Sequence, residues 1–384
     1  MSTSDAIRIG VCGPYVGGSS AMGMSMRDGV LLAIDDVNRA GGVRGRALEP
    51  LVRDDQASVE VADRLAQELI EAGVAATVGF INTDPALSAT RFYQQAERPV
   101  IVNCTAGIGI AQQFAPPACR HNYVFRIAMD DGVIAALIAD HVFHRLARKK
   151  PAIFAATAYY GESSRQDLSR RFTALGTPVV AQEAFKLGDR DMKPQLERAR
   201  TAGADIVVTF GVGPEVASIV RGMAELNWRV PVIGSWPIGT STFIDLAGEH
   251  AEGAMAPQTF VEAPTTPRRM AFIEAYHARY GVKRIPCAIA AAQGYDSVLL
   301  VAAALEQAGS TRGPELRATL EALEKPVEGI VTTYTRPFTA DDHEAVTTNI
   351  PVIGVIRGAR MTFWSEEDAR NAHLPRLKDP GRKP

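Results

Sequence analysis

Short apolar runs and helix-length amphipathic stretches alternate along this chain, and the alternation begins twice. Residues 6–12, 48–53, 75–80 and 98–103 are compact and apolar and read as strands. The stretches between them, at 25–39, 59–72 and 85–95, read as helices, with Val30, Ile34 and Val37 spaced to share one face. Strands separated by helices dictate a parallel, doubly wound α/β sheet. After a short strand at 123–127 and a helix at 132–145 the pattern restarts, with strands at 151–156, 179–185, 205–210 and 230–234 and helices at 163–175, 192–201 and 215–226. Two similar lobes follow from this, and a length of 384 residues accommodates both.

Residues 253–260 read as a further crossing strand. Helical stretches at 267–280, 288–308 and 315–324 then need a sheet to cover, which the first lobe has. The expected lobes are 6–123 plus 255–328, and 124–254 plus 329–364, joined by three crossings near 124–128, 253–257 and 329–332. The charged, Pro-rich tail at 365–384 is expected to be surface or disordered.

Composition narrows the function. A content of 46% hydrophobic and 22% charged residues, with a formal net charge of -2, is that of an ordinary globular protein without a nucleic-acid or anionic-membrane surface. No apolar run approaches the roughly 20 residues that span a bilayer. The N-terminus passes into a strand without the charged start and apolar core of a secretory leader, so either the protein is cytoplasmic or a leader has been replaced. The four cysteines have no metal-site spacing. Cys104 and Cys119 bracket a Gly/Ala/Pro-rich segment that a disulfide could staple, and unpaired buried thiols are the alternative.

In an open α/β sheet small molecules bind outside the carboxyl ends of the strands, with helix N-termini aimed at them. Two such ends are rich in small hydrogen-bonding residues: Asn82, Thr83 and Asp84 after one strand, Asn103, Cys104 and Thr105 after the next. The design recurs at Tyr159 and Tyr160, where one ring is expected to line a ligand face and the other to pack. It recurs again at residues 210–215, around Val212, and at Trp236 beside Pro237. GVGPEV lacks the third Gly of a dinucleotide fingerprint, and no GxxxxGK[ST] or GxSxG occurs. His141 and His144, at i and i+3 on a helix, read as a solvated face, and no nucleophile–base pair or metal set supports an enzyme.

Several of these stretches, in their order, resemble a known family. IRIGV at 7–11 before a Gly-rich loop, the helix GVLLAIDDVNRAGGVRGRALE, RDDQ at 53–56, YVFR at 123–126, YGE at 160–162, GPE at 213–215, AEG at 251–253 and QGYD at 293–296 are similar to the periplasmic solute-binding proteins of ABC transporters of the leucine/isoleucine/valine-binding type. The likeness covers residues 6–356. It implies a type I Venus-flytrap fold whose lobes close over a ligand, with no cofactor and no chemistry. It places Thr83 and Thr105, with the amides near Asn82 and Asn103, on the ligand carboxylate. Tyr160, Val212 and Trp236 of the second lobe and Tyr295 of the first close over the remainder. Where amino-acid binders carry an acid for the ligand ammonium this chain has Trp236, so an apolar or aromatic carboxylate is expected over a plain amino acid, with a branched-chain amino acid-like ligand as the alternative. The resemblance further implies a periplasmic monomer that meets a membrane permease and neither binds nucleic acid nor inserts in a membrane. A cytoplasmic ligand sensor of the same fold, acting on a protein partner, is the alternative.

Overall fold

A computed structural model describes residues 6–379. The chain forms two compact units, of which the first comprises 6–129, 263–350 and 373–379 and the second 130–262 and 351–372. The first unit opens with β1 (Ile7–Gly13), α1 (Ser20–Arg39), β2 (Leu48–Asp54), α2 (Val59–Glu71), β3 (Ala76–Gly79), α3 (Thr83–Gln95), β4 (Val100–Val102), α4 (Gly109–Gln112) and β5 (Val124–Arg126). Its sheet runs β2-β1-β3-β4-β5 with every pairing parallel. Strands buried on both faces, as Ala76–Gly79 and Val100–Val102 are throughout, are what such helix-covered sheets require.

The second unit carries α5 (Asp131–Asp140), β6 (Pro151–Ala156), α6 (Tyr159–Ala174), β7 (Ala181–Phe185), α7 (Lys193–Thr201), β8 (Ile206–Phe210), α8 (Gly213–Glu225), β9 (Val232–Gly234), α9 (Ser241–Ala247) and β10 (Met255–Gln258). The chain then returns to the first unit for α10 (Pro267–Tyr280), α11 (Ala288–Ala308), α12 (Gly313–Glu321) and the small antiparallel pair β11 (Val327–Glu328) and β12 (Thr333–Tyr334). Antiparallel β13 (Val352–Arg357) and β14 (Arg360–Phe363), followed by α13 (Glu366–Arg370), complete the second unit. Its sheet order is β14-β13-β10-β9-β8-β6-β7.

The helices α1 and α11 approach backbone to backbone. A Cβ added at Gly29 would lie 2.0 Å from the Ala291 carbonyl oxygen, and one at Gly294 would lie 2.4 Å from that of Met26. Only glycine fits at such a crossing. By length and composition the 21-residue α11 could cross a membrane, yet here it is a core helix, buried along most of its length.

Three expectations need correction. The first change of unit, at 129/130, falls directly after the expected 124–128, and the strand at 124–126 is itself a full member of the first sheet. The strand at 255–258 is not a crossing but a full member of the second sheet, and the chain changes unit only after it, at 262/263. Residues 329–332 do not cross either, because Asp296 and Arg269 clamp them to α11 and α10. The Asp296 carboxylate accepts from the Ile330 and Val331 amides (2.6 and 2.9 Å) and the Tyr334 hydroxyl (2.9 Å), while Arg269 donates to the Ile330 and Val331 carbonyls. Burial pushes the Asp296 carboxyl up to about 6 in spite of these donors. The chain therefore changes unit at 129/130, 262/263, 350/351 and, a fourth time, 372/373.

The tail at 365–384 is expected to be surface or disordered, and its described part lies at the surface, exposed or half-buried at nearly every residue. Its described part is docked: Thr332 donates to the Arg376 carbonyl (2.7 Å), and the Asp379 amide donates to the Thr347 hydroxyl (3.1 Å). Residues 380–384 lie outside the described residues. Lastly, His141 is not solvated. Its ring lies edge-on to Trp364 at 4.4 Å, and burial, with Arg145 adding, pushes its pKa down to about 4. His144 is the exposed one.

The α1–α11 contact predicts that Gly294→Ala lowers unfolding stability by about 1–3 kcal/mol. Gly18→Ala, whose added Cβ meets nothing within 4 Å, should change it by less than about 0.5 kcal/mol. Urea titrations of the two variants check this, and equal midpoints would contradict it.

Candidate functional site

The turns that leave β3 and β4 run along the same edge of the first sheet and are tied together. Phe80, immediately after β3, has a backbone φ of +67°, a region that bulky residues rarely adopt. Its ring is buried edge-on to Tyr93, at 6.4 Å between centroids. Its carbonyl accepts from the Cys104 amide (3.3 Å) and the Thr105 hydroxyl (3.2 Å), both in the turn after β4. A Cβ at Gly107 would lie 2.4 Å from Thr83 Cγ2, so the two turns touch there too.

What these turns offer is hydrogen-bonding capacity without formal charge. Asn82 precedes α3 with an extended backbone but does not cap it; Nδ2 donates instead to the Ser19 hydroxyl at 3.1 Å. Asn103 is fully buried, and its Oδ1 accepts from the Ser297 hydroxyl at 2.7 Å. Asn82 Oδ1 and Asn103 Nδ2 have no partner among the described residues. The same is true of the amides of Thr83 and Asp84 that open α3, and of the amides of Thr105 and Ala106. Uncapped N–H groups at a helix N-terminus attract negative charge. Asp84, in that first turn, is exposed to solvent.

In the second unit the turn after β6 starts α6. Tyr160 is half-buried, edge-on to Phe210 at 6.2 Å, and its hydroxyl donates to that of Ser235, whereas Tyr159 is exposed. Burial, with the Asp131 charge adding, pushes the Tyr160 phenol well above its usual range. Ser163 and Ser164 donate to the fully buried Asp131 carboxylate at 2.8 and 3.0 Å, which fixes the first turn of α6. Val212 is the extended residue before α8 and is half-buried. Trp236 opens a 3-10 turn after β9, is only 6% exposed, and accepts at its carbonyl from Gln258 Nε2 (3.2 Å).

A sequence profile for the periplasmic binding protein family matches residues 6–358. The chain belongs to this family. It is 26% identical over 323 residues to the leucine-, isoleucine-, valine-, threonine- and alanine-binding protein of Pseudomonas aeruginosa, which covers 83% of each chain. Its fold matches that of the branched-chain amino acid transporter substrate-binding protein LivJ from Streptococcus pneumoniae in complex with isoleucine. There the TM-score is 0.81 at 24% identity, over 93% of this chain and 97% of the other. It equally matches a solute-binding protein of an ABC transporter from Rhodopseudomonas palustris BisB5 in complex with 3,4-dihydroxybenzoic acid, with a TM-score of 0.80 at 22% identity over 99% and 100% of the two chains. The fold is the type I periplasmic-binding-protein fold, and the family and these relatives are substrate-binding proteins rather than enzymes.

Within this periplasmic binding protein four anticipated residues stand differently from expectation. Tyr295 faces away from the strand ends: its hydroxyl donates to Asp36 Oδ2 at 2.7 Å and its ring packs on Phe272 at 5.3 Å. The Thr105 hydroxyl already donates to Phe80, so it ties the turns together instead of offering its proton to a ligand. Cys104 and Cys119 are not bridged. Cys104 is buried with its thiol directed at Gln293 Oε1 (3.7 Å) on α11, while Cys119 is half-buried in the segment beyond α4. Ser19, Ser235, Gln293, Ser297, Asp131 and Arg126 were not anticipated. Arg126 and Gln293 fall within the YVFR and QGYD stretches and Ser235 directly follows β9, but the partners that give these residues their roles lie far away in the sequence.

A groove of about 1060 Å³ in the second unit, lined by Arg148, Trp228, Val232, Met255 and Trp364 among others, lies where the chain enters β9 and β10. That edge is opposite to the strand ends that carry Tyr160, Val212 and Trp236. Among the described residues no group of three or more His, Cys, Asp or Glu is placed to hold a metal.

Burial predicts which thiols react. Desolvation raises the pKa of Cys12, Cys104 and Cys287, so in the folded protein iodoacetamide should label Cys119 well ahead of the other three. Peptide mass spectrometry checks this, and a Cys104–Cys119 disulfide peptide from non-reduced material would contradict it.

Proposed function

We propose that this protein is the extracytoplasmic solute-binding component of an ABC importer. Its ligand is a small carboxylate with an apolar or aromatic body, which it delivers to a membrane permease. The carrying observation is the donor set where β3 and β4 end. The Thr83 hydroxyl, Asn103 Nδ2 and the uncapped amides at the start of α3 are neutral donors without a partner among the described residues. Such a set satisfies a carboxylate, since an anion accepting several neutral hydrogen bonds needs no cation beside it.

In this reading Tyr160 and Trp236 meet the ligand's body. Relatives of this fold take both classes of occupant, isoleucine in one and a dihydroxybenzoate in another. What favours the acid over the amino acid is the chemistry of this chain. Trp236 is aromatic where the resemblance leads one to expect an acid, Asp84 is exposed in the first turn of α3, and Asp131 is occupied by Ser163 and Ser164. A desolvated ammonium without a carboxylate costs several kcal/mol, and an aromatic face compensates weakly.

A thermal-shift panel tests the reading. It sets leucine against 4-methyl-2-oxopentanoate, phenylalanine against phenylpyruvate, and adds 4-hydroxybenzoate. A ligand at about 100 times its Kd stabilises the fold by about 2.7 kcal/mol, so binding is readily seen. The acids should raise the melting temperature more than their amino counterparts. A shift with the amino acids and none with the acids would overturn the proposed ligand class.

A further inference from the structure

The buried cation nearest to the candidate site does not present its charge to it. Arg126, the last residue of β5, is fully buried, and its Nε and Nη2 donate to the two oxygens of Glu344 at 2.6 and 2.7 Å. Its Nη1 donates to the Gly107 carbonyl at 2.7 Å and lies 3.4 Å from that of Thr105. Glu344 sits in a short stretch that pairs with β5, the Arg126 amide donating to the His343 carbonyl and the Ala345 amide to that of Arg126. The next layer comes from the C-terminal segment. Lys378, whose side chain is only 10% exposed, donates to the carbonyls of Pro337 (2.9 Å) and Glu344 (2.5 Å) and to Asp342 Oδ2 (2.7 Å).

We propose that Arg126 is a positioning residue for ligand binding, held in place by Glu344 and, through it, by Lys378, so that segment 373–379 belongs to the binding apparatus. The geometry is that of the trans peptide, in which C=O and N–H point in opposite directions. With the Thr105 and Gly107 carbonyls drawn to the guanidinium, the Ala106 and Ile108 amides are turned to the other side. A cation on the carbonyl also polarises the peptide, so that its N–H becomes a stronger donor. The bidentate Glu344 balances the charge, which leaves oriented dipoles in place of a free cation. Because Gly107 touches Thr83, a loosened 105–107 turn also frees Thr83 to move. The consequence for affinity rests on the carboxylate reading proposed above; the positioning of the turn does not.

The test uses the whole chain and the variants Glu344→Gln, Lys378→Met and Lys378→Arg. Hydrogen–deuterium exchange of peptides covering 103–112 should be faster in Lys378→Met and Glu344→Gln, unchanged in β6 and β8 of the second unit, and restored by Lys378→Arg. Calorimetry with 4-hydroxybenzoate should give an affinity weaker by about fivefold or more in the same two variants and restored in the third. Should Glu344→Gln fail to fold, Lys378→Met decides alone. Unchanged exchange at 103–112 in the folded variants overturns the proposal. So does faster exchange with undiminished affinity. Faster exchange in a protein whose wild type takes up neither 4-hydroxybenzoate nor leucine upholds the positioning of the turn and defeats the ligand class instead.

Discussion

A parallel sheet has no hairpins, so every strand must be re-entered from the same end by a helix that packs across it. That constraint organises the first unit and the parallel part of the second, β10-β9-β8-β6-β7. It sends all the strand-to-helix turns of the first sheet to one edge, where β1, β3 and β4 deliver Ser19, Asn82, Thr83 and Asn103 within reach of one another. It also requires the covering helices to lie close against the sheet and each other, which Gly29 and Gly294 permit at the α1–α11 crossing. The candidate site is thus a by-product of topology that small polar residues then specialise.

The electrostatics of that edge are those of dipoles. Its fully buried guanidinium, Arg126, is matched by Glu344, Asp84 in the first turn of α3 is exposed, and the groups offered by the turns after β3 and β4 are otherwise hydroxyls, carboxamides, amides and the Cys104 thiol. An anion bound there would be held by fixed donors, and water is not needed to screen a stranded cation. Acids at other buried points are matched differently: Asp296 takes two amides and a phenol, Asp131 two serine hydroxyls, and both thereby fix backbone segments.

Much of this was legible in the sequence because it is local. The strand–helix alternation, its restart, and the polar clusters at 82–84 and 103–105 are each set by a few adjacent residues. What was not legible depends on partners distant in the chain. Tyr295 belongs to Asp36 and Phe272, since a helix as apolar as α11 has no pattern to say which face meets which neighbour. The third crossing was misplaced because the Asp296 and Arg269 clamp on 330–331 is made by side chains of α11 and α10. Pro and charge mark the tail as surface or disordered without saying what anchors it, and the anchor is distant: Lys378 finds a cage of three oxygens. Cys104 and Cys119 bracket a segment that could use a staple, but the Cys104 thiol turns toward α11.

The central claim is that neutral donors at the ends of β3 and β4 hold a carboxylate, with the Thr83 hydroxyl among them. Isothermal titration of 4-hydroxybenzoate into wild type and Thr83→Val measures this directly, because the substitution keeps the shape of the side chain and removes its hydrogen bond. The account predicts a loss of about 10-fold or more in affinity, as befits a hydrogen bond to a charged group. An affinity for 4-hydroxybenzoate within about twofold of wild type, less than a net hydrogen bond of any kind contributes, would contradict it.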